Sequence, residues 1–126
     1  MSALARNFED LQVYQKAFAV SFGIHRASLA FPKIEQYALG DQIRRASKSI
    51  CANIAEGFAK QRNSTADFRR FLLIAMGSCN EMRVWVRYCE KLGYISPECA
   101  GEWIDSYSSI GRMLNALYSS SERLAA

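Results

Sequence analysis

The sequence predicts an all-α fold: one domain built as an antiparallel up-down-up-down four-helix bundle, with helices over about residues 9–29, 41–60, 65–92 and 97–121. Three observations predict it. Apolar residues return at steps of three and four along most of the chain, the period of a helix face, and no stretch alternates at the period of two that a strand requires. That pattern is interrupted three times, at Phe31-Pro32-Lys33, at Gln61-Arg62-Asn63 and at Gly93 through Pro97. Each interruption is short enough to return the chain directly, so consecutive helices run antiparallel.

For the first helix, Asn7 reads as the N-cap, and Glu9 and Asp10 put carboxylates at the positive end of the helix dipole. No proline breaks the run to Leu29, and Gly23 costs about 1 kcal/mol relative to alanine without ending a helix. Two apolar rows follow from the spacing. Leu11, Tyr14, Phe18, Phe22, His25 and Leu29 form one; Val13, Ala17, Val20, Ile24, Ala27 and Phe31 form the other. A helix packed on one bundle needs a single apolar stripe. The surplus predicts a subunit interface.

Pro32 ends that helix, since the residue before proline is pushed out of the helical region. Gly40 is read as the N-cap of the second helix, with Asp41 in its first turn. The stretch Gln42 to Gly57 organises the chain. Ile43, Ala46, Ser47, Ile50, Ile54, Gly57 and Phe58 share a core face, and Arg45, Ser49, Ala52, Glu56 and Ala59 lie opposite. Small residues there allow a second surface to come close, or simply face water. The candidate interface is therefore Val13, Val20 and Ile24 of the first helix with Ser49 and Ala52 of the second.

Ser64-Thr65-Ala66-Asp67 has the form of a capping box and starts the third helix. Its core row is Phe68, Phe71, Leu72, Ala75, Cys79, Met82, Val86 and Cys89, and Ile74, Ser78, Glu81, Trp85 and Tyr88 lie on another flank. Gly93 stops it, with Tyr94 and Ile95 folding back on the last turn in a Schellman-like arrangement. Ser96-Pro97-Glu98 starts the fourth helix, whose seam is Trp103, Tyr107, Ile110, Leu114 and Leu117. From Ser119 onward the helix is expected to fray.

With 126 residues, half of them hydrophobic and 22% charged, the chain can build one core without staples, which sets disorder aside. Cys51, Cys79, Cys89 and Cys99 include no Cys-x-x-Cys pair, and the single histidine, His25, lies far from them in sequence, so the expected thiols are reduced and structural. No metal or cofactor is expected. Nothing resembles a secretory leader or a bilayer-spanning run, so the expected location is cytoplasmic, away from membranes. Residues 41 to 91 carry ten of the sixteen Lys and Arg against five of the twelve acids, and the net charge is +4. The excess positive charge therefore sits in the middle of the chain, which favours an anionic partner.

On the third helix Arg83, Arg87 and Lys91 are spaced by four, with Arg69 and Asn80 on the same side; Arg44 and Lys48 form a shorter row on the second. Like charges at this spacing are mildly unfavourable unless something negative approaches. These six cations are the candidate nucleic-acid contacts, set against the plainer reading of a solvated face. Paired carboxylates such as Glu56 and Glu81 can perform acid–base work, but Glu56 stands four residues before Lys60, the order of a helical ion pair. There is no phosphate loop, nucleophile elbow or metal spacing, so no enzyme is predicted and no catalytic residue is assigned.

Several strings resemble the bacterial four-helix-bundle family encoded within 23S ribosomal RNA intervening sequences. They are Phe8-Glu9-Asp10-Leu11 with Val13-Tyr14-Gln15-Lys16-Ala17, Phe31-Pro32-Lys33, Gln42-Ile43-Arg44-Arg45-Ala46, Ser49-Ile50 and Asn53-Ile54-Ala55-Glu56-Gly57. Phe71-Leu72-Leu73-Ile74-Ala75-Met76-Gly77-Ser78 and Leu92-Gly93-Tyr94-Ile95 complete the set. The resemblance implies a cytoplasmic ring, a homopentamer without catalytic residues, similar in fold to the accessory protein of diversity-generating retroelements. Cys51 stands where members of the family often have proline, and Ala38 and Gly40 replace a usual Gly and Thr. The functional expectation is a non-enzymatic oligomer associated with ribosomal RNA or other nucleic acid through basic helix faces. The alternative is a structural ring or adaptor that binds a protein partner and has no nucleic-acid role.

Overall fold

The computed structural model describes the backbone from Ala5 to Ala125 and the side chains as far as Ser121. Four α-helices follow one another, α1 (Gln12–Ser28), α2 (Leu39–Lys60), α3 (Thr65–Lys91) and α4 (Pro97–Ala125), with single 3-10 turns at Phe8–Asp10 and Lys33–Glu35. Among the described residues there is no strand. Close backbone approaches join α1 to α2, α2 to α3, α3 to α4 and α4 back to α1, with none across the diagonals among the described residues, so the helices stand in a ring in chain order. At one pole Tyr94, after α3, donates its hydroxyl to Glu35, after α1, at 2.7 Å, and its ring lies 5.3 Å from that of Phe31. At the other pole Ala5 and Arg6 share a hollow with Arg62 of the α2–α3 turn and Leu117 of α4. Successive helices therefore run up and down.

The helix starts differ from expectation where a side chain from outside the helix decides them. Asn7 does cap, but it caps the 3-10 turn: its Oδ1 accepts from the Glu9 N–H at 2.7 Å while the Asp10 carboxylate accepts from the N–H groups of Arg6 and Asn7. Those donors hold the Asp10 carboxyl below its ordinary value. Leu11 is then extended, and α1 begins at Gln12. Gly40 is not the N-cap of α2. The cap position is Ala38, and Glu35 reaches forward to accept from the Leu39 N–H at 3.3 Å, which lets the helix begin before Gly40. Gly40 is instead buried in the first turn, where a Cβ would lie 2.8 Å from the Glu35 carbonyl oxygen.

The later boundaries follow the expected chemistry. Ser64 Oγ accepts from the Asp67 N–H at 3.0 Å to open α3. At the end of α3 Gly93 takes φ +80°, with Gly93 N–H bonded to Glu90 O and Tyr94 N–H to Cys89 O, the two bonds of a Schellman motif. The fourth helix does not fray at Ser119. It stays helical to Ala125, and Ser121 is buried with its hydroxyl bonded to Tyr118 O at 2.7 Å.

The core holds Val13, Ala17 and Ile24 of α1; Ile43, Ile50 and Ile54 of α2; Phe68, Leu72, Met82 and Val86 of α3; and Tyr107, Ile110 and Leu114 of α4. All four cysteines carry free thiols. Burial pushes Cys89 up to about 11 and Cys79 up to about 12, from an ordinary 9.0.

Two outcomes are expected. Gly40→Ala drives a methyl against fixed backbone and lowers unfolding free energy by about 1–3 kcal/mol in a urea titration. Raising the pH above 9 ionises the two thiols in the unfolded chain before the folded one. Stability is then flat between pH 7 and 8 and falls toward pH 11, by up to about 1.4 kcal/mol per pH unit for each thiol, a slope that Cys79→Ala reduces.

Candidate functional site

The two apolar rows of α1 have separate fates. The row of Val13, Ala17, Ile24 and Phe31 enters the core. The other row is only partly covered: Leu11 and Tyr14 are half-buried against the core, while Phe18 and Phe22 are each 53% exposed and Leu29 is 61% exposed. Along it the rings of Phe8 and Tyr14 meet edge-on at 4.8 Å, Tyr14 and Phe18 stack at 6.0 Å, Phe18 and Phe22 stack at 6.3 Å, and the Arg26 guanidinium lies over Phe22 at 5.8 Å. This ladder forms one wall of a groove of about 500 Å³, and Lys48, Cys51, Ala52 and Ala55 of α2 form the other. His25 lines it too, its Nδ1 shielded and without a hydrogen-bond partner. Among the described residues no carboxylate lines the groove.

The five residues expected at an interface are therefore mostly committed inside the chain. Val13 and Ile24 are core residues, 3% and 0% exposed, and have no surface to offer; Val20 is half-buried against the same core. Ser49 ties α2 to α3 through the Ser78 hydroxyl at 3.3 Å and accepts from Asn53. Only Ala52 is exposed, and it lies in the groove. The uncovered surface belongs to the other row, because Val, Ala, Ser and Ile let α1 approach α2 closely, as the buried Ser21–Ser47 hydroxyl contact at 2.9 Å records. The bulky aromatic row would hold the helices apart.

The six candidate cations do not form one face. Arg44 is a structural clasp: it donates to Ser28 Oγ at 2.8 Å and to Gln36 O at 2.6 Å, binding the α1–α2 connection to α2. Arg69 stacks on the ring of Tyr118 at 4.0 Å, packing α3 on α4. Lys48 stands at the apolar groove and Lys91 is exposed at the end of α3. Arg83 and Arg87 remain together, and Arg87 also pairs with Glu90 at 2.9 Å.

What joins Arg83 and Arg87 comes from α4. Two hollows of about 440 and 650 Å³ run along the α3–α4 seam and share Asn80 and Arg83. The first adds Arg87, Tyr88 and Ile104; the second adds Ser108, Arg112 and Asn115. The guanidiniums of Arg83, Arg87 and Arg112, the amides of Asn80 and Asn115 and the hydroxyls of Tyr88 and Ser108 thus line one seam, with no carboxylate among its described lining residues. Sequence reasoning missed the α4 contribution. Its signal was the run Ser108, Arg112, Asn115 at steps of four and three, beside the seam residues that drew attention. In a ring of helices the α3–α4 seam lies on the side opposite the α1–α2 groove.

The carboxylates do not form a reaction centre. Glu81 accepts from Trp85 Nε1 at 2.9 Å, and Glu56 is exposed on a different helix. Among the described residues no three His, Cys, Asp or Glu side chains are gathered as a metal site, and no helix is long and apolar enough to cross a membrane.

Comparison with curated proteins gives no match. Among solved structures, a protein of unknown function from the S23 ribosomal protein family of Bacteroides thetaiotaomicron superposes with a TM-score of 0.76 at 26% identity, covering 85% of this chain and 95% of that one. Neither this neighbour's description nor that of the matching family names an enzymatic activity. Residues 9–116, which take in α1, α2, α3 and the first twenty residues of α4, match the family model described as 23S rRNA-intervening sequence protein, and the chain belongs to that family.

Proposed function

We propose that the chain is a non-enzymatic, self-assembling bundle that associates with RNA, its copies joined through the α1–α2 groove and the RNA held along the α3–α4 seam. The observation that carries this reading is the segregation of the two surfaces. An aromatic groove with no carboxylate among its described lining residues lies on one side of the bundle, and three guanidiniums lie on the other, of which Arg87 is paired with Glu90. A chain that worked alone would leave the ladder wetted, and an apolar patch of this kind marks an interaction surface. Cations spaced by four along α3 repel one another by a few tenths of a kcal/mol, a cost that a polyphosphate removes. A closed ring repeats the seam around its circumference, and five copies is the number that the family resemblance implies.

Sedimentation tests the assembly. The wild-type chain is expected to run as an oligomer. Phe18→Glu combined with Phe22→Glu is expected to give folded monomers with wild-type helical content, because both rings are half exposed in the single chain, and an unfolding midpoint that no longer depends on protein concentration. A wild-type monomer overturns the assembly.

Titration of a structured RNA against salt tests the seam. Affinity is expected to fall steeply as salt rises, and Arg83→Ala with Arg112→Ala lowers the slope of log K against log salt by about 1 to 2. Arg44→Ala serves as the control. It lowers stability by about 1.5–3 kcal/mol through lost charged hydrogen bonds and leaves the slope alone. Assembly with no RNA binding at low salt overturns the RNA role and leaves a ring or adaptor for a protein partner.

A further inference from the structure

Tyr88 is the residue that the electrostatic account leaves unused. It is 55% exposed, with its ring at the α3–α4 seam beside Arg83 and Arg87. An aromatic ring left this open gains little for the core, yet it is held in place. Trp85 braces it with ring centroids 5.9 Å apart at 47°, and Trp85 is itself fixed by its Nε1–H bond to Glu81 at 2.9 Å. The side chain thus presents a supported flat face beside two guanidiniums.

We infer that the seam is a single-strand site, in which Arg83, Arg87 and Arg112 take successive phosphates of an RNA strand and Tyr88 stacks on one of its bases. This rests on the RNA reading above and narrows it to a strand and a contact. The pairing of a cationic track with an aromatic platform is how proteins hold single strands without reading sequence, since every base offers a π-face. The helical geometry agrees: Arg83 and Arg87 are about 6 Å apart along the axis of α3, comparable with the step between phosphates of an extended strand. The hollow at Tyr88, of about 440 Å³, opens to solvent and leaves the ring face free for an unpaired base, which a duplex, with its bases stacked inside, does not present. Asn80 and Asn115 add amide donors and acceptors at the same seam, able to meet a ribose hydroxyl.

The test is fluorescence anisotropy with a dye-labelled oligouridine of about 12 nucleotides and a blunt RNA duplex of the same length, at about 50 and 200 mM salt. The wild-type chain is expected to bind the single strand more tightly than the duplex. Tyr88→Ala is expected to weaken single-strand binding about five-fold or more while leaving the salt slope unchanged, and Tyr88→Phe to retain wild-type affinity. Urea unfolding of Tyr88→Ala, expected at the wild-type midpoint, separates lost stacking from lost structure. Equal affinity for duplex and strand, or a Tyr88→Ala chain that binds as wild type, overturns the stacking site. If Arg83→Ala with Arg112→Ala still flattens the salt slope in that case, the backbone reading stands alone. A wild-type chain that binds neither probe at low salt removes both.

Discussion

The close approach of α2 to both of its neighbours is the constraint on which the rest of the bundle depends. Ile43, Ile50 and Ile54 are at most 2% exposed between α1 and α3, and each contributes about 1.5–3 kcal/mol by leaving water. That burial requires small residues beside them. Ser47 meets Ser21 of α1 hydroxyl to hydroxyl, and a Cβ on Gly57 would stand 3.1 Å from the Phe71 Cβ of α3. Once α2 is this close, the first turn comes within reach of the preceding loop. Arg44 can then grip Ser28 and Gln36, and Glu35 can cap the helix while accepting from Tyr94. One pole of the molecule is thereby knotted together by polar bonds whose partners come from four segments: α1, the α1–α2 connection, α2 and the α3–α4 connection.

Much of this was legible in the residues. The stripes of α2 and α3, the three interruptions and the glycine stop at Gly93 are local signals, and the structure keeps them nearly where the spacing puts them. The losses have a common origin. Periodicity says that α1 has two apolar rows but not which one turns inward; that is settled by side-chain size across the α1–α2 contact, where Ala17 and Ser21 fit and Phe18 does not. Likewise a row of arginines looks alike whether solvated or bound. Arg44 became structural only through Ser28 and Gln36, and Arg69 only through Tyr118, partners 8 to 49 residues away along the chain. The start of α2 was misplaced for the same reason, since Glu35 caps it from a separate turn.

The cations that are left over are more informative than the original count. Arg44 and Arg69 have their positive charge absorbed by hydrogen bonds and a ring face, and the exposed Arg45 and Arg70 pair with Asp41 at 3.9 Å and Asp67 at 3.8 Å. Exposed pairs of this kind contribute little to stability and mainly shape the field. Arg87 is likewise paired, with Glu90 at 2.9 Å, so Arg83 and Arg112 line the α3–α4 seam beside one partnered guanidinium, while the α1–α2 side offers aromatic surface with Lys48 and Arg26 at its edges.

An even number of antiparallel helices also brings Ala5 and Leu117 to the same pole as the α2–α3 turn, with Arg62 beside both. The order of the helices in the chain is therefore separable from their order in space. A peptide bridge joining the ends at that pole, with the chain opened within 61–63, would give a permuted protein that begins with α3 and finishes with α2. It would keep the Tyr94–Glu35 clasp at the far pole untouched, so that the permutation exchanges only connectivity. The bundle's architecture thus resides in its faces and its clasped pole rather than in where the chain starts.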